Sequence, residues 1–515
     1  MSPQHRRAFL RDVGQGMLVA TIGPALTQDL GLASPARAVE GAETLQFGPM
    51  EPLVALMQET PSDRLLPILV RKLRDGTDLR QLVAAAALAN ARAFGGQDYE
   101  GYHALMALAP AYQMAQEMPE SRGALPVLKV LYRNTRHIQQ AGGRAHEALK
   151  PVEAGPLPAG QREGETLRAA VRDRDMASAE RIFAGLARGP VDAAFEDLQY
   201  LVQDGADVHR VVLAWRAWAL LDLAGREQAH TLLRQSVRYC VDSEKTIRND
   251  PRITTLRALL PKLLDEHHLL DQPVGHTPAD DARIEELAHT IYAGTREQAA
   301  GAAAAALAEG LAPEAVAEAM ALAANRLVLQ DPGRAKDESP EKPRGSVHGA
   351  SVGVHASDAA NAWRNIARVS HHRNAVASLI VGAYHTAGQA GGQLSQSYPL
   401  PEHQEAVREV ADAALLSEAE AAIHAGDQGR TCALVERYGR HGLPARPVFD
   451  LMRRYAISED GALHAEKYYR TVTEEFAATR PALRWRQLVA LARVTASESG
   501  HPAPGYAEAC DLLRG

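Results

Sequence analysis

Four histidines stand at comparable points of a 515-residue chain. They are His103 in Gly101-Tyr102-His103-Ala104-Leu105-Met106, His209 in Asp207-Val208-His209-Arg210, His355 in Gly353-Val354-His355-Ala356-Ser357-Asp358, and His464 in Gly461-Ala462-Leu463-His464-Ala465-Glu466-Lys467. A neutral imidazole offers one lone pair, and a set of four suits iron, zinc, copper or nickel. Buried without a shared partner, each would need its own hydrogen bond, and charging any of them would be unfavourable. The competing reading is that each histidine merely caps a helix start.

Three residues beyond the histidines stand Met106, Val212, Asp358 and Lys467, on the same helix face as the histidine before them. Two of these are polar. Asp358 suits a ligand, or a carboxylate hydrogen-bonded to one. Lys467 is an odd neighbour for a dication unless its charge is removed, and an amine that adds carbon dioxide becomes a carbamate anion. Otherwise Lys467 reaches solvent or pairs with Glu466 or Glu474. Asp358 and Lys467 are therefore the candidate catalytic residues, and His103, His209, His355, His464 and Lys467 the candidate metal ligands. His348 competes with His355 for the third position. His230 and His385 are candidates for a supporting hydrogen bond or proton relay, while His137, His371 and His372 read as surface residues. Tyr102, Tyr112, Trp215, Trp218, Trp363 and Tyr468 are candidates to line a pocket for a flat substrate.

The elements that must position these side chains repeat. An aromatic follows His103 and His209 by nine residues (Tyr112, Trp218) and His355 by eight (Trp363). A later helix opens 21, 20, 20 and 18 residues after the four histidines. Two helical patterns precede each. This predicts four divergent helical units, about 53–142, 165–242, 283–387 and 403–499, forming one catalytic domain over 53–515. Insertions fall near 241–283 and 331–350; the second reads as a disordered surface loop or a lid before His355. Packed about a common centre, such units bring matched positions together; an open solenoid would keep them apart.

Composition agrees with an all-α protein. Hydrophobic residues make up 46% of the chain and aromatics only 5%, so alanine and leucine fill the apolar positions. A net charge of −7 without a basic block argues against nucleic acid as a partner. Cys240, Cys432 and Cys510 are too irregular for a disulfide framework or a zinc knuckle. The first 38 residues read as a twin-arginine export signal: His5-Arg6-Arg7-Ala8-Phe9-Leu10-Arg11, an apolar run, then Ala36-Arg37-Ala38. A linker over 39–52 follows. The expected location is periplasmic or extracytoplasmic, with no stable membrane insertion once the signal is removed.

Asp460-Gly461-x-x-His464-x-x-Lys467-x-x-Arg470, with the His103 helix and its apolar followers, resembles the questin oxidase-like family. That resemblance implies an all-α, mononuclear non-haem iron oxygenase acting with O2 on polycyclic aromatic or quinone-like small molecules. It further implies Fe(II) held by His103, His209, His355 and His464, with Lys467 carboxylated as a further ligand. The export signal and the choice between His348 and His355 depart from the family pattern. Two other readings remain. One is an exported helical-repeat scaffold without catalysis; the other is a zinc hydrolase, against which four histidines leave little room for an activated water.

Overall fold

A computed structural model describes residues 44–156, 162–340 and 342–514. The twin-arginine reading and most of the linker lie outside the described residues. Among the described residues there are 23 α-helices and no strand, only isolated bridges. Alanine-rich runs account for this. Helix α3 (Leu79–Phe94) is buried along nearly its whole length, and so are α14 (Pro313–Leu329) and α16 (His372–Ala387). Small side chains let such helices lie close on every side, and alanine favours the helix intrinsically. Among the described residues no helix is long and apolar enough to cross a membrane.

Four helices organise the centre. They are α4 (Tyr99–Gln116), α9 (Val208–Ala224), α15 (Val352–Val369) and α21 (Ala465–Ala478). Helix α4 packs on α9, α9 on α15, α15 on α21, and α21 back on α4. The ring therefore closes in chain order. Around it lie α3 against α4 and α9, α14 against α15, and α22 (Trp485–Glu498) against α21. Helix α5 (Leu125–Gln140) packs on α4 and touches α20 (Ala445–Ser458).

The segment 331–350, expected as a surface loop or lid, divides between both descriptions. Its middle is exposed, but Val347, His348 and Gly349 are buried. Val347 N–H donates to Ser497 Oγ (2.7 Å) and Gly349 N–H to Glu498 Oε1 (2.7 Å), which ties this end to α22. Cys240 and Cys432 are buried free thiols and Cys510 is a half-buried one.

Candidate metal centre

Each ring helix opens at the centre, so four helix N-termini meet there. Asp98 caps α4, accepting from Gly101 N–H (2.7 Å). Gly101 is required, because a Cβ there would fall 2.5 Å from the Phe94 ring. Asp207 caps α9, accepting from Arg210 N–H (2.8 Å) and from the Tyr239 hydroxyl (2.7 Å). Ser351 caps α15. His464 is itself the N-cap residue of α21. The histidines thus sit at different depths, from the cap of α21 to the fifth residue of α4. Helix starts are staggered to bring the rings level.

The imidazoles form a closed square. Ring centroids are 4.8 Å apart for His103–His209, 5.5 Å for His209–His355, 5.2 Å for His355–His464 and 4.8 Å for His464–His103. Ligand atoms of His103, His209 and His355 all lie within 4.8 Å of one another. His464 joins through His355, with 3.2 Å between their Nε2 atoms. His348 stays outside, its ring 6.2 Å from His464, with its Nδ1 accepting from Ala350 N–H (3.0 Å). The structure therefore brings together the four histidines expected from the sequence, and His355 takes the third position.

Tautomers follow from the partners. His103 Nδ1 faces the Tyr99 carbonyl (2.7 Å) and His464 Nδ1 the Ala462 carbonyl (3.0 Å). A carbonyl only accepts, so both Nδ1 atoms carry the proton and both Nε2 lone pairs are bare. The Nε2 atoms of His103 and His209 are buried without a hydrogen-bond partner. Burial pushes His103, His355 and His464 well below the ordinary imidazole value, and the positive charge of Lys467 adds to this. Burial also takes His209 down to about 4. All four are neutral donors at neutral pH. Metal–nitrogen bonds of about 2.1 Å place neighbouring donors about 3–3.4 Å apart. The 3.2 Å gap already matches, and the wider ones need to close by an ångström or so. The donor set fits a divalent ion.

Lys467 and Asp358 lie about one helical turn, ~5 Å, below the rings. Lys467 is buried, which excludes a snorkelling side chain. Burial, with the Arg216 guanidinium nearby, takes its ammonium down to about 8 against the pull of Asp358. Asp358 accepts from the Thr471 hydroxyl (2.7 Å), and burial raises its carboxyl. Deeper still, Glu475 joins Asn361 (2.9 Å) and Arg364 (2.5 Å) in a buried polar network.

Of the aromatics, Tyr102 touches the site, its ring 5.0 Å from His103 and 5.1 Å from His209. Trp363 is fully buried, its Nε1–H 3.3 Å from His385 Nδ1, and Trp218 stacks on Phe195 away from the centre; neither lines a pocket there. His230 packs on Phe183. His137 is not a surface residue: it stacks on Phe94 and donates to Asp98 (2.5 Å). His371 is exposed, and His372 reaches the Leu269 carbonyl (2.6 Å).

Sequence reasoning missed four residues. Tyr99, exposed at 45%, lies with its ring 4.3 Å from His103 and marks the surface side of the site. Lys129 and Arg133 of α5 hold the turn before His464. The Lys129 ammonium donates to the Ala456 and Glu459 carbonyls (2.7 Å each) and lies 2.7 Å from the Glu466 carboxylate, while Arg133 pairs with Asp460. Arg216 lies two turns below His209 on the face that points inward. Its only signal was a charge seven residues after a histidine in an apolar helix.

No family model, curated protein or solved structure matches the chain.

Proposed function

We propose that this is a metal-dependent oxidoreductase, a mononuclear non-haem iron oxygenase acting on an aromatic or quinone-like small molecule with O2. The observation that carries the reading is the square of four neutral imidazoles, two of them with partnerless Nε2 atoms. His103, His209, His355 and His464 would hold the ion, with Lys467, carboxylated, as a further ligand. Fe(II) would supply O2 activation; zinc is the other divalent ion such a set accepts. Among oxygenase, scaffold and hydrolase, the resemblance to the questin oxidase-like family favours the first.

The chain's own residues have separable tasks. Tyr99 and Val352, exposed apolar first residues of α4 and α15, would meet a hydrophobic substrate at the mouth. Tyr102 would hold a flat ring beside His103 and His209. The Tyr99 and Ala462 carbonyls fix the orientation of two imidazoles through their Nδ1 protons. Buried alanine and leucine around the ring exclude water.

Elemental analysis of protein purified without chelator tests this. About one iron per chain is expected, and His209→Ala with His464→Ala should remove it. Less than a tenth of an equivalent of any transition metal in every preparation would defeat the metal reading. Zinc in place of iron, retained after anaerobic iron loading, would favour the hydrolase.

A further inference from the structure

Below the histidine square the ring interior holds more positive charge than it neutralises. Arg216 and Lys467 are each 2% exposed, so neither is screened by solvent. Arg216 Nε has no hydrogen-bond partner. The acids that act on its charge are Glu474 and Asp358. Both are engaged elsewhere. Glu474 pairs with Arg470 (2.6 Å) and accepts from Asn365 (2.9 Å), and Asp358 accepts from Thr471 (2.7 Å). Arg216 and Lys467 therefore repel each other in a desolvated interior, onto which four helix N-termini also direct their positive ends. A buried guanidinium without a close counter-charge is costly, and its planar fork suits a carboxylate-like anion.

We propose that Arg216 is the counter-charge for a small oxyanion derived from carbon dioxide, held between Arg216 and Lys467 inside the helix ring. The anion is either a carbamate on Lys467 or free bicarbonate; both present the planar O–C–O edge that a guanidinium grips. In the covalent form the Lys467 Nζ lone pair attacks the carbon of CO2. An N–C bond forms, one C=O π pair moves onto oxygen, and the displaced N–H proton leaves to solvent. The balance is R–NH2 + CO2 → R–NH–COO⁻ + H⁺, with no redox change. This converts a repelling pair of cations into an ion pair. Arg216 is thus a positioning residue, acting on the site through the anion. The assignment shares Lys467 with the proposed metal site but does not need the metal to be iron.

The test uses the full chain loaded with zinc, which is diamagnetic, and equilibrated with ¹³C-bicarbonate. Carbon NMR is expected to show one protein-bound signal apart from free bicarbonate. In protein carrying ¹⁵N-lysine, one-bond ¹³C–¹⁵N splitting identifies the carbamate; an unsplit bound signal identifies bicarbonate. Arg216→Met should cut the bound signal at least about tenfold, and Arg216→Lys should restore part of it. Zinc content measured on the same samples separates the two readings. Zinc without bound carbon in the wild type overturns the anion site alone, and bound carbon without zinc overturns the metal site alone. Should Arg216→Met fail to fold, the wild-type signal and its loss in Lys467→Met decide the matter. A full signal in a folded Arg216→Met protein would also overturn the assignment.

Discussion

An imidazole that burial keeps from taking up a proton is a ready ligand and an acid-labile one. His103, His355 and His464 are pushed well below the ordinary value, and His209 and His385 down to about 4, chiefly by burial. Asp207, Asp358, Lys467 and Arg216 are the charges that face them. In the unfolded chain the same side chains titrate near about 6.5. Above that pH neither state binds the protons. As pH falls below it, the unfolded chain takes them up and the folded one does not, so stability drops until about pH 4. Glu498 works the other way. Burial raises its carboxyl to about 7, so it gains stability as pH falls from there toward its ordinary 4.5. One carboxyl does not offset five imidazoles. Urea unfolding of the metal-free protein is therefore expected to give a lower midpoint at pH 5 than at pH 7; an equal or higher midpoint would mean that these rings are hydrated.

At the scale of elements, the turn before His464 carries the strain of the site. Gly461, Ala462 and Leu463 have φ of 48°, 46° and 66°, and two of the three bear a Cβ in the left-handed region. Such residues persist only where their surroundings over-determine them. Here Lys129 and Arg133 grip either side of the turn, and Asp460 N–H donates to the His501 carbonyl (2.7 Å). Ala462→Gly should raise stability by about 0.5–1 kcal/mol, since glycine adopts that φ freely. Lys129→Met should lower it by about 3–5 kcal/mol, leaving Glu466 buried without its cation. Thermal unfolding of both variants measures the contrast; the same sign for both would refute the clamp. The sequence made part of this arrangement legible. His103, His209 and His355 fall within short distances of Asp98, Asp207 and Ser351, and caps are local signals. Lys129 was not legible, because its partners lie 327 and 330 residues away and its neighbours Val127, Leu128, Val130 and Leu131 read as ordinary core. Arg216 was hidden for the same reason: only the closed ring shows that its face points at Lys467 and not at solvent. The staggered helix starts were also invisible, since a comparison of histidine positions carries no information about where each helix begins.

For the molecule as a whole, the consequence of a central ion is mechanical. The four histidines come from helices separated by 106, 146 and 109 residues of chain, and they meet where four helix ends converge. An ion bound there would join segments that otherwise hold together by apolar packing alone. Binding that favours the folded state stabilises it by about 4 kcal/mol when free ligand exceeds its dissociation constant a thousandfold. Fe(II) or Zn(II) added to chelator-stripped protein is therefore expected to raise the unfolding midpoint. The double change His209→Ala and His464→Ala removes opposite corners of the square and should abolish that rise. It should leave the metal-free midpoint at pH 7 little changed, because the lost rings make few hydrogen bonds: His209 Nε2 has none, and His464 keeps only its turn carbonyl and His355. A scaffold that used the histidines for packing would behave in the opposite way, losing stability on mutation and gaining none from metal. Calorimetry of wild type and double variant, each with and without metal, separates these outcomes in four scans.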